Sequence, residues 1–308
     1  MNMRLFSWDG IAAGGGKDFS SWMQAEADGA PVFSALTVGD FDGCHAGHQA
    51  LFRRVLAAAY SARQTGNPGI CLPGVVTFRR SASSPGKKHG GSISTLRQRL
   101  SFLENLGFAF VLLIDFSADF SKMKGYDFLR VLSGPLRMRY LVVGEDFRCG
   151  FRLDTGRREI RAAASRLGFA FDALPGVFLD GARVSSTAVR HAVLSADFTG
   201  AERLLGHPFI LDISGIAWRS ASGSSGEQVL YAPAEAFAQI LPPAGRYRAR
   251  LYAGDEIQTP DFICSLDGKT VFLECGENLL RIREKLSGSG AGESGAFSDG
   301  LGFTAITD

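Results

Sequence analysis

The sequence predicts an α/β fold, a parallel sheet covered by helices on both faces and followed by a smaller β-rich domain. Three observations predict it. Val32–Val38, Phe110–Asp115 and Tyr140–Gly144 are apolar almost throughout, as strands buried on both faces must be. Segments of helical periodicity separate such runs, which makes βαβ units. Beyond Gly206-His207-Pro208 the helical periods give way to short strand-like runs.

Residues 1–30 form a Gly- and Ala-rich leader to which no element is assigned. Val32–Val38 reads as a strand, Gly39–Gly47 as a glycine-punctuated loop and His48–Thr65 as a helix, because Leu51, Phe52, Val55, Leu56 and Ala59 recur at helical spacing. Gly74–Phe78 is strand-like. Thr95 caps a helix that ends near Leu106, with Gly107 as its stop. Phe110–Asp115 is the next strand, Tyr126–Leu132 a short helix, Tyr140–Gly144 a strand, Arg157–Leu167 a helix and Phe169–Leu174 a last strand. The loops Gly39–Gly47, Arg79–Ser94 and Glu145–Thr155 all follow strands, so they gather at the carboxyl edge, where such sheets bind ligands. Past the boundary, Phe209–Ile216, Gln228–Tyr231, Arg246–Tyr252, Phe262–Leu266 and Thr270–Leu273 read as strands and Leu279–Leu286 as a helix, ahead of a Ser/Gly-rich tail.

Composition excludes several classes. Of 308 residues, 45% are hydrophobic, enough for more than one domain, and a formal net charge of +2 leaves no electrostatic footprint for nucleic acid. The five cysteines are widely spaced without a C-x-x-C pair, which argues against a disulfide scaffold or structural zinc and fits a reducing cytosol. The N-terminus meets Asp9 before an apolar run develops, and no segment is apolar for long enough to span a bilayer. A cytoplasmic protein without a membrane partner is expected.

Three stretches carry chemistry. In Gly39-Asp40-Phe41-Asp42-Gly43-Cys44-His45-Ala46-Gly47-His48 a strand feeds a glycine-rich turn into a helix N-terminus, which offers N–H groups and a positive dipole end to a polyphosphate. His45 and His48 flank Gly47, where their imidazoles can stabilise charge on a leaving pyrophosphate. The plain alternatives are a tight turn with two surface histidines, or zinc held by Cys44, His45 and His48, for which no complementary ligand pair exists. In Val142-Val143-Gly144-Glu145-Asp146-Phe147-Arg148-Cys149-Gly150, Phe147 can pack a ring, Arg148 can meet a phosphate bidentately, and Gly144 lets backbone approach a ligand. In Val184-Ser185-Ser186-Thr187-Ala188-Val189-Arg190, Ser185 or Ser186 can cap a helix whose terminus, with Thr187, holds a phosphate. Arg190 follows Ser186 at i,i+4 spacing and can clamp phosphates. A serine cap with a solvated arginine is the alternative there. Gly268-Lys269-Thr270 fails as a P-loop because Ile263 stands where the first glycine must be.

G-x-F-D-G-x-H-x-G-H, followed in order by V-V-G-x-D-F-R and S-S-T-x-x-R, resembles the FMN adenylyltransferase module of the bacterial bifunctional riboflavin kinase/FAD synthetase family. H-x-G-H alone belongs to the wider nucleotidyltransferase superfamily, and Phe41-Asp42-Gly43 narrows it. The resemblance covers residues 32–207, including Phe116, Phe120, Phe128 and Leu129 of an F-x-x-x-F segment. It implies a Rossmann-like nucleotidyltransferase domain over 31–207, a degenerate riboflavin-kinase-like, barrel-like β domain over 208–286 and a flexible tail over 287–308. It also implies ATP and FMN as substrates with Mg²⁺ as charge partner. His45, His48, Ser186 and Arg190 would then be the catalytic residues. Gly39, Asp40, Phe41, Gly47, Gly144, Asp146, Phe147, Arg148, Asp154, Ser185 and Thr187 would bind the ligands, with Asp146 and Asp154 orienting nucleotide or metal.

Two departures matter. Thr77-Phe78-Arg79-Arg80-Ser81-Ala82 stands where the family has T-F-E-P-H-P, and no G-x-P-T-A-N segment of a riboflavin kinase occurs. The expected activity is therefore adenylyl transfer from ATP to FMN. Three alternatives stay open: another phosphate-bearing acceptor, a non-catalytic flavin- or nucleotide-binding regulator, and bifunctionality with kinase activity.

Overall fold

The computed structural model describes residues 3–12, 16–26, 29–64, 69–79, 91–116, 119–222, 228–253, 256–274 and 300–304. The expected helix over 279–286, Arg80–Ala82 and residues 287–299 lie outside them.

The first sheet has six strands, all parallel: β1 (Arg4–Ser7), β2 (Val32–Val38), β3 (Ile70–Phe78), β4 (Phe110–Ile114), β5 (Met138–Gly144) and β6 (Ala170–Leu174). Their spatial order is β1-β4-β3-β2-β5-β6. From β2 the chain steps through β3 to β4, then returns to the other side of β2 for β5. The strand order thus reverses between β2 and β5, the switch point at which such sheets open a crevice. All of β4 and all but one residue of β2 are buried, as their apolar sequences require.

Helices α1 (Trp8–Ala12), α2 (Lys17–Ala25), α3 (Ala46–Gln64), α4 (Leu96–Asn105), α5 (Gly125–Ser133) and α6 (Arg157–Leu167) are interspersed with these strands. On α3, Leu51, Phe52, Val55 and Ala59 are buried, the face read from their spacing. Thr95 caps α4 reciprocally with Gln98: the Gln98 amide donates to Thr95 Oγ1 at 3.2 Å and the Thr95 amide to Gln98 Oε1 at 2.9 Å.

The described residues among 1–30, expected to carry no element, form β1, α1 and α2. β1 pairs in parallel with β4, and Phe6, Phe19 and Trp22 pack around Phe110, with Phe19 and Phe110 centroids 5.0 Å apart. Trp8 stacks on Phe128 at 5.4 Å. These aromatics anchor an edge strand that is otherwise exposed and whose four residues are too few to show a pattern.

A hairpin of β7 (Phe178–Leu179) and β8 (Ala182–Arg183) leads to α7 (Ser186–Leu194) and α8 (Phe198–Leu205). The second sheet has seven strands, all antiparallel: β9 (Ile210–Asp212), β10 (Arg219–Ser222), β11 (Gln228–Pro233), β12 (Gly245–Ala253), β13 (Glu256–Leu266), β14 (Thr270–Glu274) and β15 (Gly300–Thr304). β15 corrects the reading of the tail over 287–308, because Gly300–Thr304 pairs with both β12 and β9.

The chain divides into two compact units. The first comprises Met1–Phe41, Gly47–Pro85 and Leu103–Phe178; the second comprises Asp42–Ala46, Gly86–Phe102 and Leu179–Asp308. α7 and α8 therefore group with the β-rich sheet, not with the parallel one before the boundary expected at residue 207. Their Val189, Val193, Phe198 and Leu205 share one core with Phe209, Leu211, Leu230 and Ala249.

Candidate active site

β2 hands directly into the glycine loop. The Gly39 amide donates to Val76 O at 3.1 Å, and Thr77 Oγ1 donates to the Asp40 carbonyl at 3.1 Å. Phe41 then turns back with φ 55°, so its ring covers Gly39, where a Cβ would stand 2.9 Å from the ring. Only glycine fits under that ring. Phe41 packs on Phe52 at 4.9 Å and meets His48 edge-on at 5.2 Å. Gly47 and His48, half-buried, open α3, whose first N–H groups face outward from the helix end.

The middle of the loop, Asp42–Ala46, belongs to the second unit. Asp42 is buried, and its carboxylate accepts from the Ile93 amide at 2.9 Å and the Ser94 amide at 3.0 Å. Arg190 Nη2 donates to the same carboxylate at 3.0 Å, and Nη1 donates to Gly91 O at 2.7 Å. Ser186 Oγ donates to the Asp42 carbonyl at 3.3 Å. The Gly43 amide donates to Ser94 Oγ at 2.8 Å, with Gly43 at φ 78°. His207 Nε2 lies 3.2 Å from Gly43 O. Ser185, not Ser186, caps α7: the Ala188 amide donates to its Oγ at 3.2 Å. Thr187 is exposed on the first turn.

Burial sets the protonation of this segment. It pushes the His45 imidazole down from 6.5 to about 4, so His45 is neutral at pH 7 in the unliganded loop. It pushes the Cys44 thiol up to about 12, so the thiol is protonated at pH 7. Cys149 is likewise pushed up to about 12 by burial, with Asp154 adding to the shift.

In the first unit a cavity of about 400 Å³ opens at the carboxyl ends of β2, β3 and β5. Phe78, Phe116, Phe120, Phe128 and Phe147 give it an aromatic lining, and Gly39, Asp40, Ser121 and Arg148 are among its other lining residues. The cavity thus gathers Gly39, Asp40, Phe147 and Arg148 of the residues read from sequence. Arg148 is exposed and donates to Leu153 O at 3.3 Å. Gly144 ends β5 with open space where a Cβ would project. Asp146 is exposed and lines a separate hollow at the N-terminus of α6. Asp154 accepts from the Gly125 amide at 3.1 Å and from Thr155 Oγ1 at 2.9 Å, so it is engaged with the first turn of α5. In the altered segment after β3, Arg79 pairs with Asp115 at 3.0 Å on the surface. Phe78, which lines the cavity of the first unit, and Asp42 and Ser94, which bond within the second, were not singled out as site residues; the only signal for Asp42 was its place in F-D-G.

Residues 30–188 match the family model described as FAD synthetase. The chain belongs to the FAD synthetase family. Among related proteins, it is 31% identical over 179 residues to the bifunctional riboflavin kinase/FMN adenylyltransferase of Haemophilus influenzae, covering 57% of this chain and 56% of that one. It is 31% identical over 180 residues to the protein of the same name from Escherichia coli K12, covering 57% and 55%. The corresponding figures for Pseudomonas fluorescens are 33% over 174 residues, 56% and 54%. This FAD synthetase-family chain therefore matches about half the length of those relatives. A crystal structure described as a macrolide-efflux protein from Streptococcus pneumoniae superposes with a TM-score of 0.66 at 19% identity, covering 99% of this chain and 100% of that one. That likeness extends the shared fold over both sheets. Among the described residues no helix is long and apolar enough to cross a membrane.

Proposed function

We propose that the chain is a cytoplasmic FAD synthetase that transfers the adenylyl group of ATP to FMN, giving FAD and pyrophosphate. The observation that carries this reading is the position of the Gly39–His48 loop. It leaves β2 at the switch point of a parallel sheet, beside an aromatic cavity large enough for a planar ring system. The five phenylalanines suit the isoalloxazine of FMN, and Arg148 suits its phosphate.

In the proposed reaction an FMN phosphate oxygen attacks the α-phosphorus of ATP in line. The new O–P bond forms as the bond to the β-phosphate bridging oxygen breaks, and its electrons leave with pyrophosphate. Such transfers depend on positioning and charge stabilisation, and no covalent protein nucleophile is needed. The amides of Gly47 and His48 at the head of α3 and the imidazoles of His45 and His48 are assigned to the polyphosphate. Ser186 and Arg190 are assigned a role through their hold on Asp42. Mg²⁺ brought with ATP would be held largely by phosphate oxygens and water. Its chemistry there is neutralisation of phosphate charge.

Purified chain incubated with FMN, ATP and Mg²⁺ is expected to yield FAD and pyrophosphate in equal amounts. Turnover of another phosphate-bearing acceptor in place of FMN, or of none, refutes the assignment. Riboflavin with ATP is expected to yield no FMN.

A further inference from the structure

Within the second unit, polar contacts run from Gln239 to the backbone of the Gly39–His48 loop. Gln239 lies between β11 and β12 and is 4% exposed. Its Nε2 donates to Ile93 O at 2.7 Å and to Ile210 O at 2.9 Å, and its Oε1 accepts from the Asp212 amide at 2.6 Å. The backbone on either side of it brackets Ser92. The Ser92 amide donates to Ala238 O at 3.0 Å and the Ile240 amide to Ser92 O at 2.8 Å, a short parallel bridge. Gly91 adopts φ 93°, and a Cβ there would stand 2.4 Å from the Gln239 carbonyl carbon.

Ile93 is thus held on both sides. Its carbonyl accepts from Gln239, and its amide donates to Asp42. The adjoining Ser94 bonds Asp42 through its amide and Gly43 through its hydroxyl. Arg190 closes the circuit by donating to both Gly91 O and Asp42. Asp212, whose amide Gln239 accepts, also takes Thr95 Oγ1 at 2.7 Å and Arg97 on its carboxylate. The strap 91–97 is therefore fastened to the β-rich region at several points, and Asp42 is fastened to the strap.

We propose that Gln239 is a positioning residue for adenylyl transfer. It fixes the strap, the strap fixes Asp42, and Asp42 fixes the loop segment that carries His45. On this view the β-rich unit serves the transfer reaction as a scaffold, whatever became of kinase chemistry. The inference rests on the adenylyl-transfer reading for its kinetic arm alone. A residue that merely filled volume would tolerate an apolar replacement of similar size, whereas one that acts through three hydrogen bonds would not.

The test uses full-length chain carrying Gln239→Leu, with Gly91→Ala as an independent way to push the strap off Gln239. Two readouts are needed: kcat and KM for FMN and ATP, and hydrogen exchange at the amides of Gly43, Ile93 and Ser94. A loop displaced by a fraction of an ångström should lower kcat about 10- to 100-fold while both KM values stay within about threefold. Those three amides should exchange about tenfold faster, with the amides of Leu36 and Val142 in the parallel sheet unchanged. Wild-type exchange at the three amides, or kcat within about twofold of wild type in a folded variant, overturns the proposal. Loss of protection everywhere in Gln239→Leu leaves Gly91→Ala to decide it by the same readouts. If wild type makes no FAD, the adenylyl-transfer reading fails, while the exchange arm still decides whether Gln239 positions the loop.

Discussion

Acid should destabilise this chain through His45. The imidazole is 6% exposed, and burial pushes it from 6.5 to about 4. The unfolded chain binds the proton near pH 6.5 and the folded chain only near pH 4, so within that window acid favours the unfolded state. The contribution of neutral His45 is complete above pH 6.5 and is lost as the pH falls towards 4. One pKa unit is ~1.4 kcal/mol, so the whole window carries about 3 kcal/mol and the step from pH 7 to pH 5 about 2 kcal/mol. His207, also lowered by burial, acts in the same direction, so the difference between wild type and His45→Gln isolates the effect. Urea titrations at pH 7 and pH 5 should show wild type losing about 2 kcal/mol more than the variant. An NMR titration of the imidazoles should show one that stays neutral below pH 5. Parallel losses in the two proteins, with every histidine titrating near pH 6.5, refute the reasoning. A bound polyphosphate raises the same pKa, so ATP binding at pH 5.5 should take up a proton that His45→Gln does not, visible calorimetrically in buffers of different ionisation enthalpy.

Other substitutions sort by what each side chain touches. Asp42→Asn sets an amide NH₂ against the N–H groups of Ile93 and Ser94 or against Arg190, and should cost about 3 kcal/mol in urea unfolding. Gly74→Ala drives a Cβ to 2.3 Å from the Phe110 ring and should cost about 1–3 kcal/mol by the same assay. Arg54→Ala removes a 2.6 Å pair with Asp172, but the two side chains are 48% and 36% exposed, and the loss should stay below about 1 kcal/mol. Phe147→Ala opens the aromatic cavity and should raise KM for FMN about tenfold while leaving KM for ATP within about twofold. An equal rise in both KM values would count against the assignment of that cavity to the flavin.

The parallel sheet was legible because burial on both faces writes itself into composition. Val32–Val38 and Phe110–Ile114 have almost no alternative to a buried strand, and the glycine loops follow their ends. The first strand was not legible. Arg4–Ser7 has one half-buried ring among exposed residues, and its pairing depends on Phe110, more than a hundred residues away. The same distance problem governs the site. Gly39, Asp40, Phe147 and Arg148 could be named because they flank strand ends that topology brings together. Asp42 could not be weighed, since its meaning lies in amides at Ile93 and Ser94 that no local pattern announces. Asp154 resembled a ligand-binding carboxylate by position, yet its oxygen meets the Gly125 amide, a use that spacing cannot distinguish from the other.

Arg190 also sets the charge balance of the loop. By sequence it is a cation one turn inside a helix, suited to a phosphate. In the fold its guanidinium is committed to Asp42 and to Gly91 O. A buried carboxylate within a loop proposed to receive a triphosphate would by itself oppose binding, by about 2 kcal/mol for each phosphate charge at about 8 Å and an effective dielectric of about 20. Pairing with Arg190 cancels most of that field. The carboxylate is then free to do what a neutral side chain does poorly, which is to accept two backbone N–H groups and a guanidinium at once and so hold the loop in a strained form with Phe41 and Cys44 both at positive φ. Arg190 therefore favours a polyanion even without touching one, because it lets the loop be rigid without being negative.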